Sequence, residues 1–575
     1  MPLARSIPWR FTALLAAAFT AASCRTVAPV PEVPEVEALP PLPPPPPPPS
    51  LEVVAAPPPP SRVLVPHGDP KSLEAIAYDI LLEDQIVPAL PEGFAQVFPD
   101  KYTEVPGVLG FRGGPRRDFG AWGPQHLAKR KLRRAWNFKT TDGKPPWGGG
   151  SGWTGEPALV QWPDVIRHSM PLLNGYRTSR ELVEVIVGSL DGHVYFLELA
   201  TGKPTRKPID TGNPIKGSVS VDPRGYPLLF VGQGIPQGRP IGMRAYSLID
   251  HKELFFLAGR EPQALRDWGA FDSSGLLNRA TDSYLQPGEN GLVYLLKLHT
   301  EFDPIVPSIA VAPEVVRYRY ANAEQRHLGT ENSATVLRNL AFFADNGGTV
   351  TALDLTTMKP AWAFESGDDV DASIVLSEED DANFLYTGTE VDKTGVKGNA
   401  HLRKLDALTG VPLWEHSYSC VGAAAHHASN DSKAESNGNG EPGGGEGKKI
   451  DAGLFATPLV GTGDVEDRVI FTLSRCPDFE RGLIVALAKK DGRELWRRPL
   501  KHYAWSSPTA VHDEDGHTFF LQGDISGALS LVDARDGSIV DSIKLDGGVE
   551  SSPAVFGDMA VVGTRGGRIW GIRLE

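Results

Sequence analysis

SSPTAVHDEDGHTFFLQGDISGALSLVDARDG at residues 506–537 and SSPAVFGDMAVVGTRGGRIWGIRL at residues 551–574 are two copies of one unit. Each opens on small residues, then runs through an apolar strand, a second strand, a Gly-bearing turn and a third, alternating strand. A DG or TG turn and a fourth strand complete the unit. The fourth strand often carries Trp, as in TTMKPAWAF (Trp362), LTGVPLWEH (Trp414) and KDGRELWRR (Trp496). Working back from these copies, first strands begin near EPALV (156), GSVSV (217), SSGLL (273), NSATV (332), ASIVL (372), ATPLV (456), SSPTA (506) and SSPAV (551). Repetition at this spacing is the mark of a stacked-repeat fold. Eight copies of four strands predict an all-β protein, an eight-bladed β-propeller of four-stranded antiparallel blades. Period-two alternation predicts half-buried strands. The recurrence of Trp after the turn predicts that it packs between neighbouring sheets.

The last copy stops after its third strand. KLRRAWNFK (131–139), with Trp136 in the Trp position, supplies the missing fourth strand. The N-terminal strand therefore closes the ring, which hides sheet edges that would otherwise invite aggregation. The propeller is assigned to residues 130–575.

The composition agrees with many tight turns: 61 Gly are spread along the chain, and part of the 51 Pro falls in one tract. The net charge of −14 excludes a general nucleic-acid binder. Residues 1–23 read as a secretory signal, with Arg5 and Arg10 before a short apolar stretch, Phe11 to Ala22. Ala21-Ala22-Ser23 before Cys24 resembles a bacterial lipobox, although Ala stands where Leu is typical. This implies lipidation at Cys24, and Arg25 after it favours the outer membrane. Residues 24–66 form a Pro-rich linker, with Pro43–Pro49 and Pro57–Pro60 favouring an extended polyproline spacer. Residues 67–129 are an N-terminal extension. One short helix is expected from Ser72-Leu73 to Leu82, and FRGGPRRDFGAWG (111–123) is expected to strap one face. Residues 429–449 read as a disordered loop by composition.

The pattern of strand, DG, a strand ending in LD, TG and then W resembles the quinoprotein-alcohol-dehydrogenase-like repeat. That family includes PQQ enzymes and the lipoprotein propeller of the outer-membrane β-barrel assembly machine. FRGGPRRDFG (111–120), SGWTGEP (151–157), KGSVSVDPRGYPLLFVG (216–232) and GTENSATV (329–336) are similar to bacterial PQQ-like propeller proteins. In the enzymes, the resemblance implies a quinone stacked between a Trp and a vicinal Cys-Cys disulfide, with calcium held by Glu, Asn and Asp. This chain has three cysteines, Cys24, Cys420 and Cys476, none adjacent, and no CxxCH haem motif. Glu331-Asn332 resembles a calcium-ligand pair only as a dipeptide. No GxSxG or HExxH motif occurs, and His426-His427 point apart on any strand. No catalytic or metal residue is assigned, and PQQ and calcium are not expected as cofactors.

Propeller ligands usually meet the mouth of the central channel. Three residues before the Pro553 position, the copies carry Thr154, Lys216, Asp272, Glu331, Asp371, Phe455, Trp505 and Glu550. Four acids there would attract a basic segment or a cation. Phe455 and Trp505 would offer aromatic anchors. Cys420 and Cys476 fall on the same propeller face in neighbouring blades and are candidates for one disulfide in an exported protein. The expectation is a monomeric, non-enzymatic scaffold. It would be held on the membrane by its lipid anchor alone, facing the periplasm and binding a protein or peptide partner in the envelope. Outer-membrane protein assembly is the role the resemblance implies. The alternative is a PQQ- or metal-dependent oxidoreductase or sensor with its ligand in the channel.

Overall fold

The computed structural model describes residues 61–145, 148–152, 155–173, 175–322, 328–391, 397–421 and 452–575. Cys24, the signal, most of the linker, Thr154, His426, His427 and the 429–449 loop lie outside these. The described chain forms eight antiparallel sheets in a ring, with one helix of six residues, Asp164–Ser169. In blade 7, Thr509–His512, Thr518–Gly523, Ala528–Asp533 and Ile539–Lys544 pair in chain order. The other blades follow this plan from the predicted starts. Leu132–Lys139 pairs with Arg568–Leu574 as the fourth strand of blade 8, with Trp136 opposite Gly571.

Burial departs from simple alternation. Second strands such as Val183–Gly188, Leu340–Ala344 and Thr518–Gly523 are buried along their whole length. Each blade is covered on both faces by its neighbours, so its inner strands have no solvent face. Alternation survives in outer strands such as Pro412–Val421.

The Trp residues latch blade to blade. The indole N–H groups of Trp136, Trp362, Trp414 and Trp496 donate to the carbonyls of Leu199, Ala407, Lys489 and Ala534, each in the following blade. The turn glycine of that next blade lies flat beneath each ring. A Cβ on Gly410 would sit 2.6 Å from the Trp362 ring, and Gly410 has φ +73°. The TG and DG turns thus need glycine twice, for the left-handed backbone and for the indole.

The extension differs from its predicted helix. Pro70–Leu73 is one 3-10 turn, and Ile76–Leu82 is a strand. It pairs over seven residues with Glu314–Asn322, the outer strand of blade 3. A helix this short has little stability of its own, whereas the free blade edge completes the strand's hydrogen bonds. Packing also begins earlier than residue 67: Leu64 N–H donates to Asn339 Oδ1 at 2.7 Å.

Residues 107–122 run around the inside of the ring. Gly107–Val108 pairs with blade 1 and Ala121–Trp122 with blade 8. Between them, the carbonyls of Leu109, Pro115, Arg116 and Gly120 accept from Val221, Val336, Leu376 and Val555. These partners lie in the first strands of blades 2, 4, 5 and 8, beyond the strand starts. The strap therefore closes the end of the channel where first strands finish. The first strands begin at the other, open end.

Candidate functional site

Around the channel, residue 552 and its counterparts form a ring: Glu156, Ser218, Ser274, Ser333, Ser373, Thr457, Ser507 and Ser552. The hydroxyls of Ser218, Ser333, Ser373, Ser507 and Ser552 each accept a backbone N–H from the preceding blade. Glu156 is the one carboxylate in this ring. Its Oε1 accepts from Arg112 N–H of the strap at 3.0 Å. Burial outweighs the nearby Arg112 and Arg117 charges and raises its pKa to about 7. Burial also lowers Arg112 and brings Arg117 down to about 10. Arg117 donates to the carbonyls of Phe111, Ser274 and Ala334, tying the strap to blades 3 and 4.

At the open end, Asp272, Glu331 and Glu289 bring carboxylate oxygens within 4.8 Å of one another. Asp272 and Glu289 are buried, and Glu331 is half-buried. Lys216 pairs directly with Asp272. Burial works against the Lys216 charge, but Asp272, Glu289 and Glu331 outweigh it and hold its pKa above the ordinary value. Burial raises Asp272, with Glu331 adding to it. Burial, Glu331 and Asp272 push Glu289 well up. Glu289 Oε2 accepts from the Trp268 indole at 2.6 Å. A second triplet, Asp369, Asp371 and Glu390, converges within the same 4.8 Å on blade 5.

The remaining predicted positions fall elsewhere on this rim. Phe455 and Trp505 pack with ring centroids 5.7 Å apart, and Tyr503 extends the row. The Arg475 guanidinium stacks over Phe479 and Tyr503 at 4.2 and 4.3 Å. Glu550 pairs with Arg565 at 3.7 Å. Cys420 and Cys476 are joined at 1.92 Å and are buried within the blade 5–6 core. A cleft of about 960 Å³ lies at the closed end instead, lined by Val65, Phe98, Tyr102, Phe119 and Trp122 among others.

Glu289, Glu390, Glu156 and the two buried strap arginines were not singled out in the sequence. Glu289 and Glu390 each stand two residues past their second strand, as does Arg565. Aligning that turn as well as the first-strand starts would have found them.

Among the described residues, two of the groups that the resemblance implies for a quinone site are placed otherwise. The disulfide joins residues 56 apart in sequence and is not a vicinal pair. Asn332 donates to the carbonyls of Ala344 and Val370 and accepts from Ala344 N–H, so its amide is engaged in holding blades 4 and 5 together.

Residues 480–575 match the family model described as outer membrane protein assembly factor BamB. Among curated proteins, none matches the chain. Two quinohemoprotein alcohol dehydrogenases share the fold, from Comamonas testosteroni and Pseudomonas putida HK5. Each is 11% identical with TM-score 0.50; they cover 82% and 81% of this chain, and 80% of their own lengths is covered. BamB from Moraxella catarrhalis is 13% identical with TM-score 0.45, covering 77% of this chain and 99% of its own. The family model speaks for residues 480–575, and the two dehydrogenases, at such identities, speak for the propeller fold alone.

Proposed function

We propose that this chain is an envelope scaffold that receives a basic segment of a protein partner at its open mouth. The observation that carries this is the asymmetry of the channel. The chain's own strap fills one end. At the other, six carboxylates cluster on blades 3, 4 and 5, of which Glu331 and Asp371 are half-buried and the rest buried, and an aromatic row follows on blades 6 and 7. Lys216 offsets Asp272 and burial works against charge on Asp272 and Glu289, which leaves the half-buried Glu331 and Asp371 as the acids the test removes. Clustered carboxylates beside low-dielectric walls focus the field and draw in cations. Aromatic side chains beside them anchor the apolar part of a segment. The match to an assembly-factor model at residues 480–575 supports a partner in outer-membrane protein assembly. The lipobox-like Cys24 supports an outer-membrane anchor and a periplasmic position.

The test is site-specific photo-crosslinking in cells from position 505. A protein adduct should form and fall at least about tenfold in Glu331→Gln/Asp371→Asn, since two charges leave the arc. An adduct unchanged by the double substitution sinks the proposal.

A further inference from the structure

Exposed large apolar side chains are not spread evenly over this molecule. Among the described residues, all of them except Tyr78 lie at or near the closed end. Ile305 and Val306 are 72% and 70% exposed, at the tip of a hairpin between Glu301–Asp303 and Ser308–Ala310. That hairpin joins the third and fourth strands of blade 3, a connection that falls at the closed end. Leu173 lies between the first two strands of blade 1, and Leu413 and Ile539 start the outer strands of blades 5 and 7. Val65, 65% exposed, belongs to the segment bound to the closed-end turns of blades 4 and 5 through Leu64 and His67. Isolated apolar residues on a surface need no explanation, but confinement to one end of a ring does.

We propose that the closed end is a lipid-binding face, on which these side chains dip into the interfacial region of a bilayer. Three observations select a bilayer. The apolar groups sit on separate blades around the ring, matching a broad planar surface better than one protein pocket. The described chain begins beside this end, where Leu64 and His67 are held, so a tether attached N-terminal to it would draw this face down. The two carboxylate clusters that border the mouth sit at the opposite end, while a third, Asp513 with Asp515 and His517, lies between the first two strands of blade 7 at the closed end. A six-residue strand spans about 20 Å, and a Debye length at physiological salt is about 8 Å. Docking by the closed end therefore keeps the acidic mouth clear of anionic headgroups and open to the periplasm. Apolar contact of this kind is weak per residue and adds across tips.

The full chain carrying Cys24→Ser, which has no acyl anchor, is floated with vesicles of phosphatidylethanolamine and phosphatidylglycerol. It should float with them. Ile305→Ser/Val306→Ser combined with Leu173→Ser/Leu413→Ser should lower the bound fraction at least about tenfold. All four residues are exposed, so circular dichroism should be unchanged. Glu331→Gln/Asp371→Asn should float like the parent, which separates this face from the partner-binding mouth. The inference is overturned by no flotation, or by equal flotation of the apolar variant. It is also overturned if sedimentation shows a dimer that the same substitutions abolish, for then a second copy covers the face.

Discussion

Glu156 sits where every other blade offers Ser or Thr, buried under the strap with Arg112 above it. In the folded chain its carboxyl keeps its proton up to about pH 7, against an ordinary value of 4.5. Below 4.5 both folded and unfolded forms are protonated, and the group does not favour either. Between 4.5 and 7 only the unfolded chain releases the proton, so stability falls as pH rises through that window. The loss amounts to about 3 kcal/mol. Glu156→Gln keeps the shape and removes the titration. Its melting temperature should therefore decline less than the parent's between pH 4.5 and 7.5; parallel curves would refute this. First-strand alignment was enough to find Glu331 and Asp371, because both stand at an equivalent place in consecutive units. It could not find Glu156, which lies beside the aligned column and gains its meaning from a strap folded in from outside the repeat.

The turn glycine and the Trp of the preceding blade form one contact, repeated at four blade junctions. Both partners were visible in the sequence as TG or DG and W, but which blade the Trp reaches was not. At the blade 4–5 junction, Trp362 is fully buried over Gly410. Gly410→Ala adds a methyl 2.6 Å from the indole at a positive φ. It should cost about 1–3 kcal/mol, while Trp362→Ala should cost about 3–5 kcal/mol. Urea denaturation of the two single variants and the double should show strong non-additivity, since each substitution removes the same contact. Additive losses would mean that the latch is not a unit. The strand Ile76–Leu82 teaches the opposite lesson. Its residues allow a helix, and only the free edge of blade 3, contributed more than two hundred residues later, makes it a strand.

At the scale of the whole ring, the number of blades and the closing strand were legible because repeats announce themselves. Linear repeat arrays behave as chains of neighbours and can fray from their ends. A closed ring has no ends, so its cooperativity rests on the junction between Leu132–Lys139 and Arg568–Leu574. That junction admits a single-residue test. A Cβ on Gly571 would lie 2.1 Å from the Trp136 ring, and Trp136 is also the latch to blade 1 through Leu199. Gly571→Ala should therefore push Trp136 aside, strain the closing strand and loosen the blade 8–1 contact together. Parent unfolding should be one transition, with indole fluorescence and far-ultraviolet circular dichroism coinciding. The variant should lose about 3 kcal/mol and form oligomers in sedimentation as opened edges pair between molecules. A variant that stays monomeric with the parent's midpoint would show that the ring does not depend on this closure.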